Sequence, residues 1–322
     1  MEVILGIDHL TRPLANPVVT LGNFDGVHLG HQKIFEKVKE NASKINGESV
    51  AITFEPHPLK ILSPKRCPPL LTPFRKKIML IQRSGIEIVF CIEFSLAFSR
   101  ITPFDFIKNI LVEKVRVRKV VIGYNYHFGK RQMGDVRILK SAGKHFNFEV
   151  EVMEPLKIDH TIVSSSKIRE LIKSGKVEMA AKLLGRNYPI IGKVVEGSKR
   201  GHTLGFPTAN LETSEELYPK AGVYAVEVIW NQQIFNGLAN VGFNPTFISL
   251  QRDGSPERNF SVEVYILNFS KEIYGEEIQI NFKRRIRDEV RFSSPSQLIE
   301  QIQKDIRWAK ENVFGKSGIM EY

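Results

Sequence analysis

A parallel α/β domain followed by an antiparallel β-barrel is the fold that the sequence predicts, and three observations predict it. Short apolar runs alternate with amphipathic helical stretches through the first half of the chain. From Ile190 onward the runs lie close together, separated by turns instead of helices. The change of rhythm falls at Gly185-Arg186-Asn187-Tyr188-Pro189, which divides the chain into residues 1–186 and 187–322. At 322 residues the chain is long for one domain, and each part is large enough for its own core.

The elements follow in order. Val18–Leu21, Ser49–Phe54, Glu87–Ile92, Lys119–Ile122 and Phe148–Met153 are rich in β-branched or aromatic residues and read as strands. Helical patterns occupy Gly30–Lys44, Pro73–Arg83, Pro103–Leu111 and Asp135–Lys144. This alternation implies a parallel sheet covered by helices on both faces, with ligands at the carboxyl ends of its strands. Three polar, ring-rich loops stand at such ends: Gly22–His31, Thr53–Pro58 and Gly123–Gly129. One shared pocket accounts for all three. Two short helices, Ser165–Lys173 and Val177–Leu184, lead to the boundary. The strands beyond it are Ile190–Val195, Gly222–Trp230, Ile234–Val241, Phe260–Phe269 and Glu277–Phe282. Asn231-Gln232 serves as a hairpin turn without the usual glycine. Closely spaced strands of this kind build a barrel or a sandwich. Ser294-Pro295 starts a closing helix over about residues 296–312.

The formal charge of +11 and a pI near 9.5 point to an anionic ligand, whether nucleic acid, acidic membrane or a phosphorylated small molecule. The two cysteines, Cys67 and Cys91, have neither metal-like nor disulfide-framework spacing, as expected in a reducing cytoplasm. The N-terminal apolar run has no basic leader, and no segment approaches the length of a membrane span.

Chemistry concentrates in Gly22-Asn23-Phe24-Asp25-Gly26-Val27-His28-Leu29-Gly30-His31. Glycines let backbone N–H groups approach phosphate oxygens, and the positive end of the following helix favours anions. Imidazoles can hydrogen-bond to a phosphoryl oxygen as charge builds on it. His28 and His31 also fit two plainer roles, satisfying the helix N-terminus or forming half of a metal site. Walker A is absent: at Gly315-Lys316-Ser317 the first glycine is replaced by Lys310. No G-x-G-x-x-G fingerprint opens the first helix either. Further along, Ser164-Ser165-Ser166-Lys167-Ile168-Arg169 offers helix-capping hydroxyls and a bidentate phosphate grip, or simply a capped helix. In Gly197–Asn210, Thr208 and Asn210 stand two residues apart in a stretch read as an extended loop, where both can meet one hard cation. A basic surface turn is the plainer reading there. Glu263 lies in an alternating strand, where a carboxylate ordinarily faces water.

The strand, glycine turn and His-Leu-Gly-His resemble the HxGH signature of the nucleotidyltransferase superfamily, a Rossmann-like fold. Together with Thr53–Pro58, Gly123–Gly129 and Ser164–Arg169, the block looks like the adenylyltransferase module of bacterial bifunctional riboflavin kinase/FMN adenylyltransferases. Gly197–Asn210 resembles the riboflavin kinase signature GxxLGFPTAN, and Ser261–Phe269 the family's EVHLLDF stretch. Asn240–Phe247 and Ile286–Phe292 match as well. The resemblance implies that His28, His31 and Arg169 stabilise charge in adenylyl transfer, and that Glu263 is the base for the riboflavin 5′-hydroxyl. It implies nucleotide contacts at Gly22, Phe24, Asp25, Gly26, Gly30, Asn125, Ser165, Ser166, Gly197, Lys199, Gly205, Thr208 and Asn210. Thr208 and Asn210 would hold Mg²⁺, the expected cofactor. Phe54, His57, Arg287 and Phe292 would bind flavin, and Phe54 with the aromatic segment Phe94–Phe106 would line its slot, although a buried core face explains those aromatics almost as well. ATP, riboflavin, FMN and FAD are the implied partners, with no nucleic acid or membrane. His202, Tyr265 and Asn268 depart from the family pattern. Those departures make a chain with adenylyltransferase activity alone the nearest alternative, and a basic nucleic-acid-binding protein a more distant one.

Overall fold

All five strands expected in the first half form, as β2 (Val18–Leu21), β3 (Ser49–Glu55), β4 (Ile88–Glu93), β5 (Lys119–Gly123) and β6 (Glu149–Met153). They follow a short β1 (Glu2–Leu5), and all six pair in parallel in the order β1-β4-β3-β2-β5-β6. The computed structural model describes residues 1–197, 204–243 and 260–315. β1 carries no legible period, because Ile4 alone of its four residues is buried.

Side-chain alternation sends neighbouring strand residues to opposite faces of this sheet. Val19, Ile52, Phe90 and Ile122 pack on one face with Phe106 and Leu111. Val18, Ala51, Val89 and Val121 pack on the other with Phe35, Val38 and Ile81. The covering helices are α1 (Leu29–Lys44), a short α2 (Pro58–Leu62), α3 (Phe74–Arg83), α4 (Pro103–Asp105) and α5 (Val136–Phe146). The helix expected over Pro103–Leu111 continues past α4 as a wider π-helical stretch, Phe106–Lys114. A two-stranded hairpin, β7 (Lys157–Ile158) with β8 (Thr161–Ile162), precedes α6 (Ser165–Lys173) and α7 (Val177–Leu184).

The second half closes on itself, which decides between barrel and sandwich. Its strands are β9 (Tyr188–Val195), β10 (Thr208–Glu212), β11 (Gly222–Trp230), β12 (Gln233–Phe243), β13 (Phe260–Ile266) and β14 (Glu277–Arg287). They form a closed antiparallel barrel in the order β10-β13-β12-β11-β14-β9. Strand β10 replaces the extended loop expected around Thr208: Thr208, Ala209 and Asn210 pair with Tyr265, Val264 and Glu263. The final helix, α8 (Pro295–Ala309), is capped by Ser294, whose hydroxyl accepts from the Gln297 N–H.

Chain contacts divide the molecule into Met1–Ser165 and Ser166–Tyr322, ahead of the change of rhythm at Arg186. Residues of α6 and α7 bond within the second unit. Ile172 accepts from the Lys220 N–H at 3.2 Å, and Glu178 pairs with Arg284 at 2.9 Å.

The β11–β12 hairpin turns at Asn231 and Gln232, whose φ values are 46° and 63°. Two left-handed residues in succession make the primed turn that matches strand twist. Gln232 adopts this conformation at a steric cost that glycine avoids. Gln232→Gly should therefore stabilise the second unit by about 0.5–1 kcal/mol. Urea unfolding followed by tryptophan fluorescence measures it, since both tryptophans, Trp230 and Trp308, lie in that unit.

Candidate functional site

Strand β2 sits between β3 and β5, and the chain leaves it toward β3 while β5 flanks its other side. That reversal of strand order opens a crevice at the carboxyl ends, where α/β sheets take ligands. The loops Gly22–His28, Phe54–Pro58 and Gly123–Gly129 leave from these three consecutive strands. Two contacts join the first pair: Asn23 Nδ2 lies 3.4 Å from His57 Nε2, and Thr53 Oγ1 donates to the Asn23 carbonyl at 3.3 Å. Asn125, expected to hold nucleotide, is exposed in the third loop.

The β2–α1 loop is tightly wound. Phe24, Gly26 and Val27 all have positive φ, 49°, 88° and 38°, which is unusual for a β-branched residue such as Val27. Buried contacts hold it there. Phe24 packs on Phe35 with centroids 4.8 Å apart, and the Asp25 carboxylate accepts from the N–H groups of Leu71 and Thr72 at 3.0 Å. Thr72 Oγ1 also donates to Asp25 and accepts from Gly26 N–H. Ser165 Oγ donates to the Asp25 carbonyl at 2.8 Å. Among the expected nucleotide residues, Asp25 thus directs its carboxylate to backbone donors of its own unit.

His28 is the N-cap of α1, and its Nδ1 accepts from the His31 N–H at 3.3 Å. An accepting Nδ1 leaves the proton of the neutral ring on Nε2. The capping role and the phosphate role therefore share one side chain. The two imidazoles stack with centroids 3.6 Å apart and planes 16° off parallel, and Phe24 meets His31 edge-on at 5.3 Å. Gly30 lies between them, where a Cβ would come 3.2 Å from the His28 ring. Leu29 and Gly30 present first-turn N–H groups that lack intrahelical acceptors. Among the described residues, no group of three or more His, Cys, Asp and Glu side chains forms a metal site. Ser166 and Arg169 follow Ser165 on α6, with Arg169 buried.

The second unit carries a cavity of about 730 Å³ that is open to solvent. Its wall includes Gly197, Thr208, Asn210, Asn240, Glu263, Arg287, Glu289, Phe292 and Asp305. Strand register explains the central group. Asn210 on β10 and Asn240 on β12 both stand opposite Glu263 on β13, so one carboxylate lies between two amides on the same level. Thr208 lies two residues before Asn210, on the same face of β10. A Cβ at Gly197 would come 2.0 Å from Asn210 Nδ2, so glycine lets the chain pass over that amide.

Arg287 and Phe292, both expected at the flavin, come together in the cavity wall. The Arg287 guanidinium lies 5.9 Å from the Phe292 ring centre and donates to both oxygens of buried Asp305, at 2.8–3.1 Å. Gln301 Nε2 donates to the same carboxylate at 2.9 Å. Sequence reasoning missed Asp305 as a member of the cavity, and did not single out Asn240 and Glu289. Asn240 Nδ2 donates to Glu289 Oε1 at 3.2 Å. Their signal lies in cross-strand register and helix docking, which linear spacing does not contain. Gly205 follows at the edge of the glycine-rich stretch with φ 82°. Lys199, His202 and Asn244–Phe247 lie outside the described residues.

Asp25→Asn should destabilise the first unit by about 1–3 kcal/mol, because an amide N–H₂ would face backbone N–H donors. Urea unfolding followed by circular dichroism should show that loss, with the tryptophan transition of the second unit unmoved.

Comparison with known proteins follows the same division. Residues 11–167 match the FAD synthetase family model, and residues 184–313 the riboflavin kinase model. A bifunctional riboflavin kinase/FMN adenylyltransferase of Buchnera aphidicola from Schizaphis graminum is 38% identical over 97% of this chain and 98% of its own. The Escherichia coli K12 protein of the same description is 33% identical over 97% of each chain. A solved Streptococcus pneumoniae chain, titled a macrolide-efflux protein, superposes with a TM-score of 0.86 at 32% identity, covering 97% of this chain and 99% of that one. Among the described residues, no helix is long and apolar enough to cross a membrane. The chain belongs to the bifunctional riboflavin kinase/FMN adenylyltransferase family, and its two domains serve the two-step synthesis of FAD from riboflavin through FMN.

Proposed function

We propose that residues 1–186 transfer AMP from ATP to FMN and that residues 187–322 transfer the γ-phosphoryl group of ATP to riboflavin. What supports this most is the pairing, in one chain, of two unlike sites for chemistry at phosphorus. One is a stacked histidine pair at a helix N-terminus, and the other a carboxylate flanked by two amides in a cavity. Both reactions are displacements that need positioning and charge stabilisation more than covalent help.

In adenylylation, an FMN phosphate oxygen attacks the α-phosphorus of ATP, and the bond to pyrophosphate breaks. His28, through Nε2–H, and His31 hydrogen-bond to the α-phosphoryl oxygens as negative charge builds. Arg169 grips phosphate. The backbone at Gly22, Phe24, Gly26 and Gly30 cradles the nucleotide, with Asn125, Ser165 and Ser166 orienting it. Phe54 and His57 border the flavin. In the other step, Glu263 takes the proton of the riboflavin 5′-hydroxyl as its oxygen attacks the γ-phosphorus. The Thr208 hydroxyl and Asn210 amide are oxygen donors on one strand face beside Glu263, a set that suits Mg²⁺. When bound, that ion would neutralise phosphate charge. Gly197, Lys199 and Gly205 cover the nucleotide, while Arg287 and Phe292 hold the flavin ring system. The anionic substrates match the basic charge of the chain, and free thiols at Cys67 and Cys91 suit a reducing cytoplasm.

Incubating the protein with ATP, Mg²⁺ and either riboflavin or FMN, then resolving flavins by chromatography, separates the two activities. Replacing His28 or His31 by Ala should slow FAD formation from FMN by about 10²–10³-fold while FMN formation continues. Glu263→Gln should slow riboflavin phosphorylation by about 10²–10⁴-fold and leave FMN adenylylation intact. Loss of both activities in either variant would contradict the division of labour.

A further inference from the structure

Strand β3 runs past the end of β2. The last bond between them is from Gly22 N–H to the Ile52 carbonyl, after which the chain turns away into the histidine loop. By strand alternation the next carbonyl facing that side is Phe54's, since Glu55's faces β4 and accepts from Phe94 N–H at 3.0 Å. A buried carbonyl at such a place requires a donor. The donor is the ammonium of Lys77, which reaches from α3 to within 3.0 Å of the Phe54 oxygen. Lys77 is only 6% exposed. This is a side chain rarely found inside a protein, and neither transfer step assigned above uses it.

The groups facing the Lys77 ammonium come from every element around it. Glu55 Oε2 lies 3.8 Å away on β3, and the Phe74 ring centre 5.6 Å away on α3. Asp25 in the histidine loop adds attraction. The Cys91 thiol on β4 also faces it, but burial pushes that thiol up to about 11 and keeps it neutral. Burial lowers the pKa of Lys77 itself, while the two carboxylates oppose the shift. A neutral residue at this position would meet the hydrogen-bonding need less directly and remove the counter-charge of Glu55.

We propose that Lys77 is a positioning residue for FMN adenylylation: it stands in for the missing strand and fixes the Phe54–His57 turn against which the flavin binds. The proposal rests on the reading of Phe54 and His57 as the flavin border. Replacing the ammonium should therefore loosen the flavin, leaving ATP and the second unit's reaction unaffected.

Steady-state FMN adenylylation by full-length Lys77→Met, Lys77→Arg and Phe54→Ala tests this, with urea unfolding followed by circular dichroism reporting an intact first unit and riboflavin phosphorylation an intact second one. For Lys77→Met, KM for FMN should rise about tenfold or more, with KM for ATP within about twofold of wild type. Lys77→Arg should bring KM for FMN back to within about threefold. An unchanged KM for FMN in Lys77→Met overturns the proposal, as does a parallel loss for both substrates that arginine does not rescue. Should circular dichroism show the first unit of Lys77→Met unfolded, Lys77→Gln, which keeps a neutral donor, is judged by the same split. Phe54→Ala separates the flavin border from the Lys77 contact that supports it. If it leaves KM for FMN unchanged, the flavin border is misassigned and the role of Lys77 falls with it. If it raises KM for FMN while Lys77→Met does not, the role of Lys77 alone is refuted.

Discussion

The early departure of β2 from the sheet is the constraint on which the first unit depends. β2 spans four residues and its neighbour β3 spans seven, so the sheet's centre is notched at its carboxyl edge. The notch gives α1 room to begin directly above β2, with its N-terminal N–H groups at the crevice. It also forces the chain through the positive-φ path at Phe24, Gly26 and Val27, a conformation that needs buried support. Asp25 supplies that support by binding the Leu71–Thr72 backbone. α3 starts just beyond Thr72 and carries Lys77 to the other wall of the notch. Loop strain, helix placement and buried polar groups are thus consequences of one short strand.

The barrel solves its problem differently. In a closed antiparallel barrel, residues two apart on each strand share a face, and register decides which neighbours stand at the same height. That rule assembles Asn210, Glu263 and Asn240 from three strands without any local sequence signal joining them. The cavity is completed from outside the barrel by α8, through Asp305 and its bonds to Arg287. A rigid strand face and a docked helix therefore meet at one guanidinium.

Much of this was legible in the sequence. Strands β2 to β5 are fully or largely buried between helices, so hydrophobicity announced them, while β6 has no buried residue and was legible from its β-branched residues. His28 and His31 were legible because a glycine turn, a strand and a helix start coincide within ten residues. The Asn231-Gln232 turn was legible from two flanking alternating runs. What escaped was either too short or too non-local. β1 buries one residue of four. β10 hides in a glycine-rich stretch whose strand character comes from its partners, not its propensity. Helices α6 and α7 adjoin the first half in sequence, yet their bonds to Lys220 and Arg284 join them to the barrel unit.

Closure of the barrel also divides the hazard of misassembly unevenly along the chain. A closed barrel has no unpaired strand edge, whereas the open sheet of the first unit ends in two, at β1 and β6. Both edges carry charge: Glu2 on β1 is bound by Arg12, and Glu149 and Glu151 on β6 by Lys119. Such charges discourage a second chain from adding its own strand. The unit synthesised first is the one with open edges, and acidic gatekeepers protect it while the self-sealing barrel is still being made.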